Sequence, residues 1–412
     1  MKKSALILLL GGIALAEVAG QKMLAVGNIL AAAQQDAVVL AQAGHIAYAR
    51  TVNPQLPLVN QVSLRSQTDR LELERQRYAV RVSLNGFRQI RAEQNVQRAD
   101  LFVAESRQRN LLHAALAERY ETLIAYRQAE REIDLCRQLS LVFQDKIAVL
   151  KARAAYAGDA DLEELIEAEY DLDENALRLM EAEQALQESR EMLVLFTPGA
   201  ETGSELDTTG FLTPNRLLFA ATTVGEQVVN HPGLIENTAK AARAEAQYQA
   251  EKARSQQLLD FVQVRHDNRP SEPLSRDISF AIGINLPFRG TSAYKMAELK
   301  IEKNAAETAL AEEQADAARR VREAKARLAA LDTRYRQATQ LLFDNQSVFT
   351  LRQAGAGIAA DPMVLLRAKE LVLKRQQRLL DIEADMYAQY LNLLDWSGQL
   401  SVEPLMNYLG ER

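Results

Sequence analysis

The chain has 412 residues, of which 48% are hydrophobic and 6% aromatic, and its formal net charge is −6. This acidic balance argues against a nucleic-acid partner, because proteins that bind the phosphate backbone carry a basic surface. The single cysteine, Cys136, excludes a framework of disulfides within the chain.

The first residues have the pattern of a secretory signal. Two lysines follow Met1, and an apolar run occupies residues 5–16. Because a spanning helix needs about 20 apolar residues, we expect residues 1–20 to be a signal peptide, with an uncleaved N-terminal anchor as the alternative. The rest of the sequence contains no apolar stretch of that length. If the protein lies in a membrane, strands must span it.

The next part of the sequence changes between helix and strand patterns. Residues 22–50 predict a first helix. Residues 59–66 and 78–87 alternate apolar and polar side chains, as strands with two unlike faces do. Residues 88–157 contain no glycine or proline and predict one helix about 100 Å long at about 1.5 Å per residue. Residues 161–196 predict the returning helix.

After a connector rich in glycine, threonine and proline, the same order recurs. The second set comprises a helix at 230–256, strands at 258–266 and 277–288, a long helix at 291–354 and a returning helix at 362–396. The long helix has a predicted coiled-coil seam of Ala306, Leu310, Ala317, Val321, Ala324, Leu328, Leu331 and Tyr335.

We therefore predict an internal tandem repeat. The predicted segments of the whole chain are a signal peptide at 1–20, a first repeat at 21–199, a connector or equatorial segment at 200–229, a second repeat at 230–399 and a C-terminal tail at 400–412. Four strands cannot close a barrel around a pore, and open sheet edges are not tolerated in lipid. A spanning chain must therefore oligomerise, and three copies would supply about 12 strands.

Three pairs of segments recur at the repeat spacing. The strand-to-helix junctions are Ser-Leu-Asn-Gly-Phe at 83–87 and Asn-Leu-Pro-Phe-Arg-Gly at 285–290, the helix tips are 157–168 and 356–368, and the closing Leu-x-x-x-Gly segments are 195–199 and 394–398. This series resembles the TolC-like outer membrane efflux protein family, the outer membrane component of tripartite RND-type or heavy-metal-type efflux systems. Residues 230–330 are most similar to members from heavy-metal and related pumps, which points to metal or drug export.

The resemblance implies a mainly α fold with β structure. Long antiparallel helical hairpins would form an α-barrel, and each chain would add four strands to a trimeric transmembrane β-barrel of about 12 strands. It also implies a homotrimer in the outer membrane of a Gram-negative bacterium, extending into the periplasm. A periplasmic adaptor and an inner-membrane transporter would be its partners, and conduction would be passive. The alternative is a periplasmic adaptor protein, which usually has one hairpin where this sequence predicts two.

The predicted helix tips differ in charge. Acids dominate the first tip, and the second carries bases. The candidate gate residues are Asp159, Asp161, Glu163, Glu164, Glu167, Arg352, Asp361 and Arg367, and the turn glycines are Gly158, Gly355 and Gly357. We expect acid–base pairs such as Glu167–Arg367 to hold a closed periplasmic entrance, with solvated helix ends as the alternative. The family's usual gate aspartates are replaced here by Val364 and Arg367, and Asp361 lies one turn earlier.

Nothing in the sequence indicates a catalytic or metal-binding site. The histidines lack metal-ligand spacing, and no nucleophile–base set or phosphate-binding glycine loop occurs, so we predict no enzyme activity, metal or cofactor. Trp396 is expected to pack rather than to bind a ligand. The same holds for the apolar set Leu112, Leu116, Tyr120 and Leu123.

Overall fold

The structure is a computed structural model. It describes residues 23–52, 56–68, 76–157, 162–201, 204–208, 210–225, 228, 230–267, 278–284, 291–343 and 361–410. The predicted signal peptide, the turn glycines Gly158, Gly355 and Gly357, and the charged residues Asp159, Asp161 and Arg352 lie outside these residues.

The N-terminal helix is interrupted, so the prediction of one helix at 22–50 is wrong. Helix α1 (Val26–Ala32) runs into a 3₁₀ turn (Ala33–Gln35), and α2 (Ala37–Val52) starts after an extended Asp36. The carboxylate of Asp36 accepts two bonds, at 2.6 and 3.0 Å, from Arg119. The Arg119 side chain is 0% exposed, and its Nε also donates to the Ile29 carbonyl at 3.1 Å. The break in the helix thus supplies a buried guanidinium with partners.

Four antiparallel strands form one sheet in the order β1-β2-β3-β4. They are β1 (Val59–Thr68), β2 (Gln76–Leu84), β3 (Leu259–Asp267) and β4 (Ile278–Ile284). The predicted strand at 78–87 ends early, because a turn at Asn85 leads into a helix that begins at Phe87. Asn85 fixes this turn by donating from its side chain to the Pro57 carbonyl at 2.7 Å and from its backbone to the Leu58 carbonyl at 2.8 Å.

The register of the sheet separates two unlike faces. One cross-strand row on the first face is Val62, Val82, Val262 and Ile282, and the next is Leu64, Val80, Val264 and Phe280. The rows between them point to the other face and contain Ser63, Arg81, Gln263 and Ala281, then Arg65, Ala79, Arg265 and Ser279. The apolar face is open, with Leu64 72% and Phe280 75% exposed.

Long helices form the rest of the molecule. They are α3 (Phe87–Ala157), α4 (Leu162–Phe196), α6 (Pro232–Ser255), α7 (Thr291–Phe343) and α8 (Pro362–Trp396), with a short α5 (Pro214–Thr223) in the connector. In the half of the molecule near the sheet, the helices lie side by side in the order α2, α3, α6, α7. In the half far from the sheet, the order is α4, α3, α8, α7, so α3 and α7 run through both halves. None of the helices in the described residues combines the length and the apolarity that a membrane crossing requires.

The main core lies where the helices meet the connector and the chain end. Leu116, Tyr120 and Leu123 of α3 are buried there, as predicted, and the seam of α7 is buried from Ala317 to Leu331. Ala306 and Leu310 of the same predicted seam are only half-buried. The Tyr120 hydroxyl donates to the Met406 carbonyl at 2.8 Å, and burial raises the pKa of this hydroxyl. The internal repeat and its boundaries remain predictions.

Candidate gate at the helix tips

The far ends of α3, α4 and α8 share a second apolar core. Leu150 of α3 and Ala168 of α4 are fully buried, and Met363 of α8 packs in the same cluster. Around this core, charged side chains connect the first tip to the second. We call the described ends of these three helices the tip bundle.

Asp361 begins α8 and also connects it to α3. Its carboxylate accepts from the backbone nitrogen of Met363 at 3.0 Å, which satisfies one of the free donors of the first helical turn. The same carboxylate lies 2.5 Å from a guanidinium nitrogen of Arg153. The backbone bond from Met363, followed by the bond from Arg153, lowers the pKa of Asp361. Asp361 therefore stabilises the start of α8 and lies at a helix junction.

Arg367 connects α8 to α4. Its Nη2 lies 2.6 Å, and its Nε 3.0 Å, from the same oxygen of Glu164. The hydrogen bonds that Arg367 donates to Glu164 raise the pKa of Arg367. The expected partner, Glu167, is exposed and has no charged partner among the described residues, and the same is true of Glu163. Acid–base pairing between the two tips is therefore present in the structure, but through Glu164.

A buried ion pair lies deeper in the tip bundle. Lys146 Nζ of α3 lies 3.1 Å from Glu370 of α8, and both side chains are nearly enclosed. Lys374 lies 2.8 Å from Glu370 and 3.0 Å from Asp171 of α4. Burial opposes ionisation of Glu370, but the hydrogen bonds from Lys374 and Lys146 outweigh it, so its pKa is lowered. This network joins all three helices.

Sequence reasoning missed Arg153, Lys146 and Glu370. The spacing of seven from Lys146 to Arg153 places both on one face of α3. The spacing of four from Glu370 to Lys374 is that of a helical ion pair. Both signals were in the sequence, but neither indicates which helix the side chain meets.

The charged side chains of the tip bundle meet across three helices. No group of histidine, cysteine or acidic side chains that could hold a metal ion occurs in the described part of the chain. Its exposed ion pairs are individually weak, about 0–1 kcal/mol each. The buried Lys146–Glu370 pair is a stronger constraint.

Comparison with solved structures identifies the fold. The chain matches a structure of CusC, described with transmembrane channel formation, at a TM-score of 0.61 and 14% identity over 90% of this chain and 92% of that one. It matches the outer membrane protein VceC from Vibrio cholerae at 0.62 and 15% identity over 90% and 96% of the two chains. The chain has the TolC-like fold. It also matches the open state of the Neisseria gonorrhoeae MtrE outer membrane channel at 0.61 and 15% identity over 90% and 88%.

The predicted resemblance is confirmed at the level of the fold. No protein-family model matches the chain, and no curated protein matches it. Each of these structures is matched over nine-tenths of this chain, so the likeness extends over most of its length.

Proposed function

We propose that this protein is the outer membrane channel of a tripartite efflux pump. In this proposal a homotrimer passively conducts a metal ion, a drug or another small molecule from the periplasm to the exterior of a Gram-negative cell. A periplasmic adaptor and an inner-membrane transporter deliver the cargo, and the channel itself catalyses no reaction. The single observation that carries the proposal is the sheet, whose apolar face is left exposed by the residues that the structure describes.

An apolar sheet face of this kind fits contact with lipid. Strands of outer membrane barrels alternate between apolar residues that face lipid and polar residues that face the lumen. The row of Leu64, Val80, Val264 and Phe280 crosses the whole sheet, and the rows on either side of it carry arginine and serine. In water, an apolar sheet face exposed in this way would favour aggregation.

The two edges of the molecule support closure by three copies. Strand β1 ends the sheet on one side and β4 on the other. The helix rows end likewise, with α2 and α4 on one side and α7 on the other. Because the two edges differ, one edge of a protomer must join the opposite edge of the next protomer, in a head-to-tail arrangement. Such an arrangement closes into a ring when the rotation between neighbouring protomers divides a full turn evenly. Three copies would give a shared barrel of about 12 strands above an α-barrel.

The edge helices have complementary surfaces. On α4, Ile166, Tyr170, Leu177 and Met180 recur at spacings of four, seven and three, and all are more than 60% exposed. The helix around them is strongly acidic. The far part of α7 is rich in arginine, with Arg319, Arg320, Arg322, Arg327, Arg334 and Arg336. We propose that α4 of one protomer packs against α7 of its neighbour. In this contact the apolar row of α4 would be covered, and its acidic side chains would lie close to the arginines of α7.

The tip bundle would be the periplasmic gate. Asp159, Asp161, Glu163, Glu164 and Glu167 would form an acidic rim in the trimer. Arg352 and Arg367 would bind to this rim, and Asp361 would bind Arg153. In this proposal Glu164–Arg367 and Arg153–Asp361 hold the closed state, and adaptor contact replaces them, which biases a two-state element. Gly158, Gly355 and Gly357 would form the turns at the tips.

The adaptor alternative is less well supported. An adaptor usually has one coiled-coil hairpin, whereas this chain has α3 with α4 and α7 with α8 on one sheet. To test the proposal, we would fractionate cells that express the full chain and record detergent-purified protein in planar bilayers. A channel protein fractionates with the outer membrane and gives discrete conductance steps. Recovery in the soluble periplasmic fraction, with no conductance, would favour the adaptor.

A further inference from the structure

The polar face of the sheet is basic. Its arginines are Arg65, Arg77, Arg81 and Arg265, and the carboxylates beside them belong to Asp260 and Asp267. Among the described residues of this face, cations therefore outnumber anions. The opposite face carries no arginine or lysine in the paired rows, so the positive charge lies on one side of the sheet only.

Two of these arginines share one carboxylate. Arg265 Nε lies 2.8 Å, and Arg77 Nε 3.5 Å, from the same oxygen of Asp267. One carboxylate thus serves two guanidinium groups. Arg65 is exposed, and the described part of the chain gives it no acidic partner. In the register, Arg65 and Arg265 lie on either side of Ala79, whose short side chain leaves the space between them open.

Arg81 is held in a defined position on the same face. Its Nη2 lies 3.2 Å from Asp260, and its guanidinium carbon lies 3.5 Å from the centre of the Phe261 ring. The ring covers Gly283 on the neighbouring strand, where a Cβ would overlap its atoms. Glycine at this position therefore admits the aromatic ring, and the ring supports the arginine by a cation–π contact.

We infer that these arginines form a basic ring inside the barrel that favours anionic solutes over cationic ones. The inference rests on the proposed trimeric channel, in which the polar face points into the lumen and each arginine occurs three times. Rings of charged side chains set ion preference in pores, and basic rings favour anions. Because the screening length is about 10 Å at 0.1 M salt, the preference is strongest in dilute solution. The barrel would thus have the opposite charge to the acidic helix tips.

The test is the chloride-to-potassium permeability ratio of the full-length protein in planar bilayers, measured from the reversal potential in a dilute KCl gradient. Variants Arg65→Gln and Arg65→Glu remove and invert one charge per protomer on the polar face. Arg243→Gln on α6 is the matched control, since its partner Asp100 lies 2.6 Å away and both are outside the sheet. Variants are compared with the unmodified protein, so any constant contribution from the helix tips cancels.

We expect the ratio to fall in Arg65→Gln and to fall further, by at least about twofold, in Arg65→Glu. The Arg243→Gln channel should keep the original ratio. If the channels conduct and all three variants share that ratio, the basic ring is wrong while the channel proposal stands. If the unmodified protein forms no conducting oligomer, the proposed function fails, and the inference fails with it.

Discussion

The guanidinium of Arg367 on α8 binds the carboxylate of Glu164 on α4, with its Nη2 at 2.6 Å, while Glu167 three residues further along lies exposed. One helical turn therefore separates an acid that joins the two hairpins from one that does not. The pair and its neighbour provide a matched test of the proposed gate.

Reversing either member of this pair should loosen the closed state. We expect Glu164→Arg and Arg367→Glu each to raise the open fraction in bilayer recordings, since each places like charges together. The double swap should restore the original behaviour, because the pair is re-formed with its charges exchanged. Glu167→Arg is the control and should have little effect. If the double swap gives the sum of the two single effects, this pair does not hold the gate.

Removing Asp36 from its pair with Arg119 should destabilise the protein strongly. Replacing Asp36 with alanine leaves a guanidinium that is 0% exposed without its main partner, a loss of about 3–5 kcal/mol in the free energy of unfolding. As a control, Arg137→Met breaks the exposed pair with Glu183 and should cost less than about 1 kcal/mol. Thermal unfolding in detergent compares the two. Equal losses would contradict the assignment.

Acidification should weaken the fold through His231. This ring stacks on Trp396 with centroids 5.0 Å apart, and its Nδ1 is buried without a hydrogen bond. Burial, then the neighbouring His113, lowers its pKa, although Asp395 acts in the opposite direction. The unfolded chain therefore takes up a proton at a higher pH than the folded chain does. This contribution to stability is complete above the ordinary pKa of about 6.5 and is lost as the pH falls below it.

The measurement is the unfolding temperature between pH 7.5 and pH 5.5 for the unmodified protein and for His231→Gln. The variant should show a shallower fall. The titratable and charged groups that face His231 include Glu313 of α7, at 3.5 Å, His113 of α3 and Asp395 of α8. His45→Gln changes an exposed histidine and should leave the slope unchanged. Parallel slopes for all three proteins would exclude a role for His231.

Opposite faces of β4 should respond differently to the same charge. Phe280 lies on the apolar face and Ser279 on the polar face. A lysine at position 280 should cost up to about 2–4 kcal/mol in lipid and reduce recovery of the oligomer from membranes. Ser279→Lys should assemble normally. Equal recovery of the two variants would mean that the apolar face does not meet lipid.

Local patterns predicted most of the elements. The absence of glycine and proline from 88–157 predicted α3, and strict alternation predicted the sheet strands. The break at Asp36 could not be predicted, since the partner of Asp36 at the break is Arg119, which is distant in the chain. The predicted partner of Arg367 was wrong for a related reason: Glu164 and Glu167 are similar acids on one helix. Which of them faces Arg367 is set by how α4 and α8 pack.

The most direct test of the central claim is the native mass of the protein extracted from isolated outer membranes. We expect a trimer that is released only by detergent, because the four-stranded sheet needs partners at both edges. A monomer, or a protein released without detergent, would contradict a shared barrel.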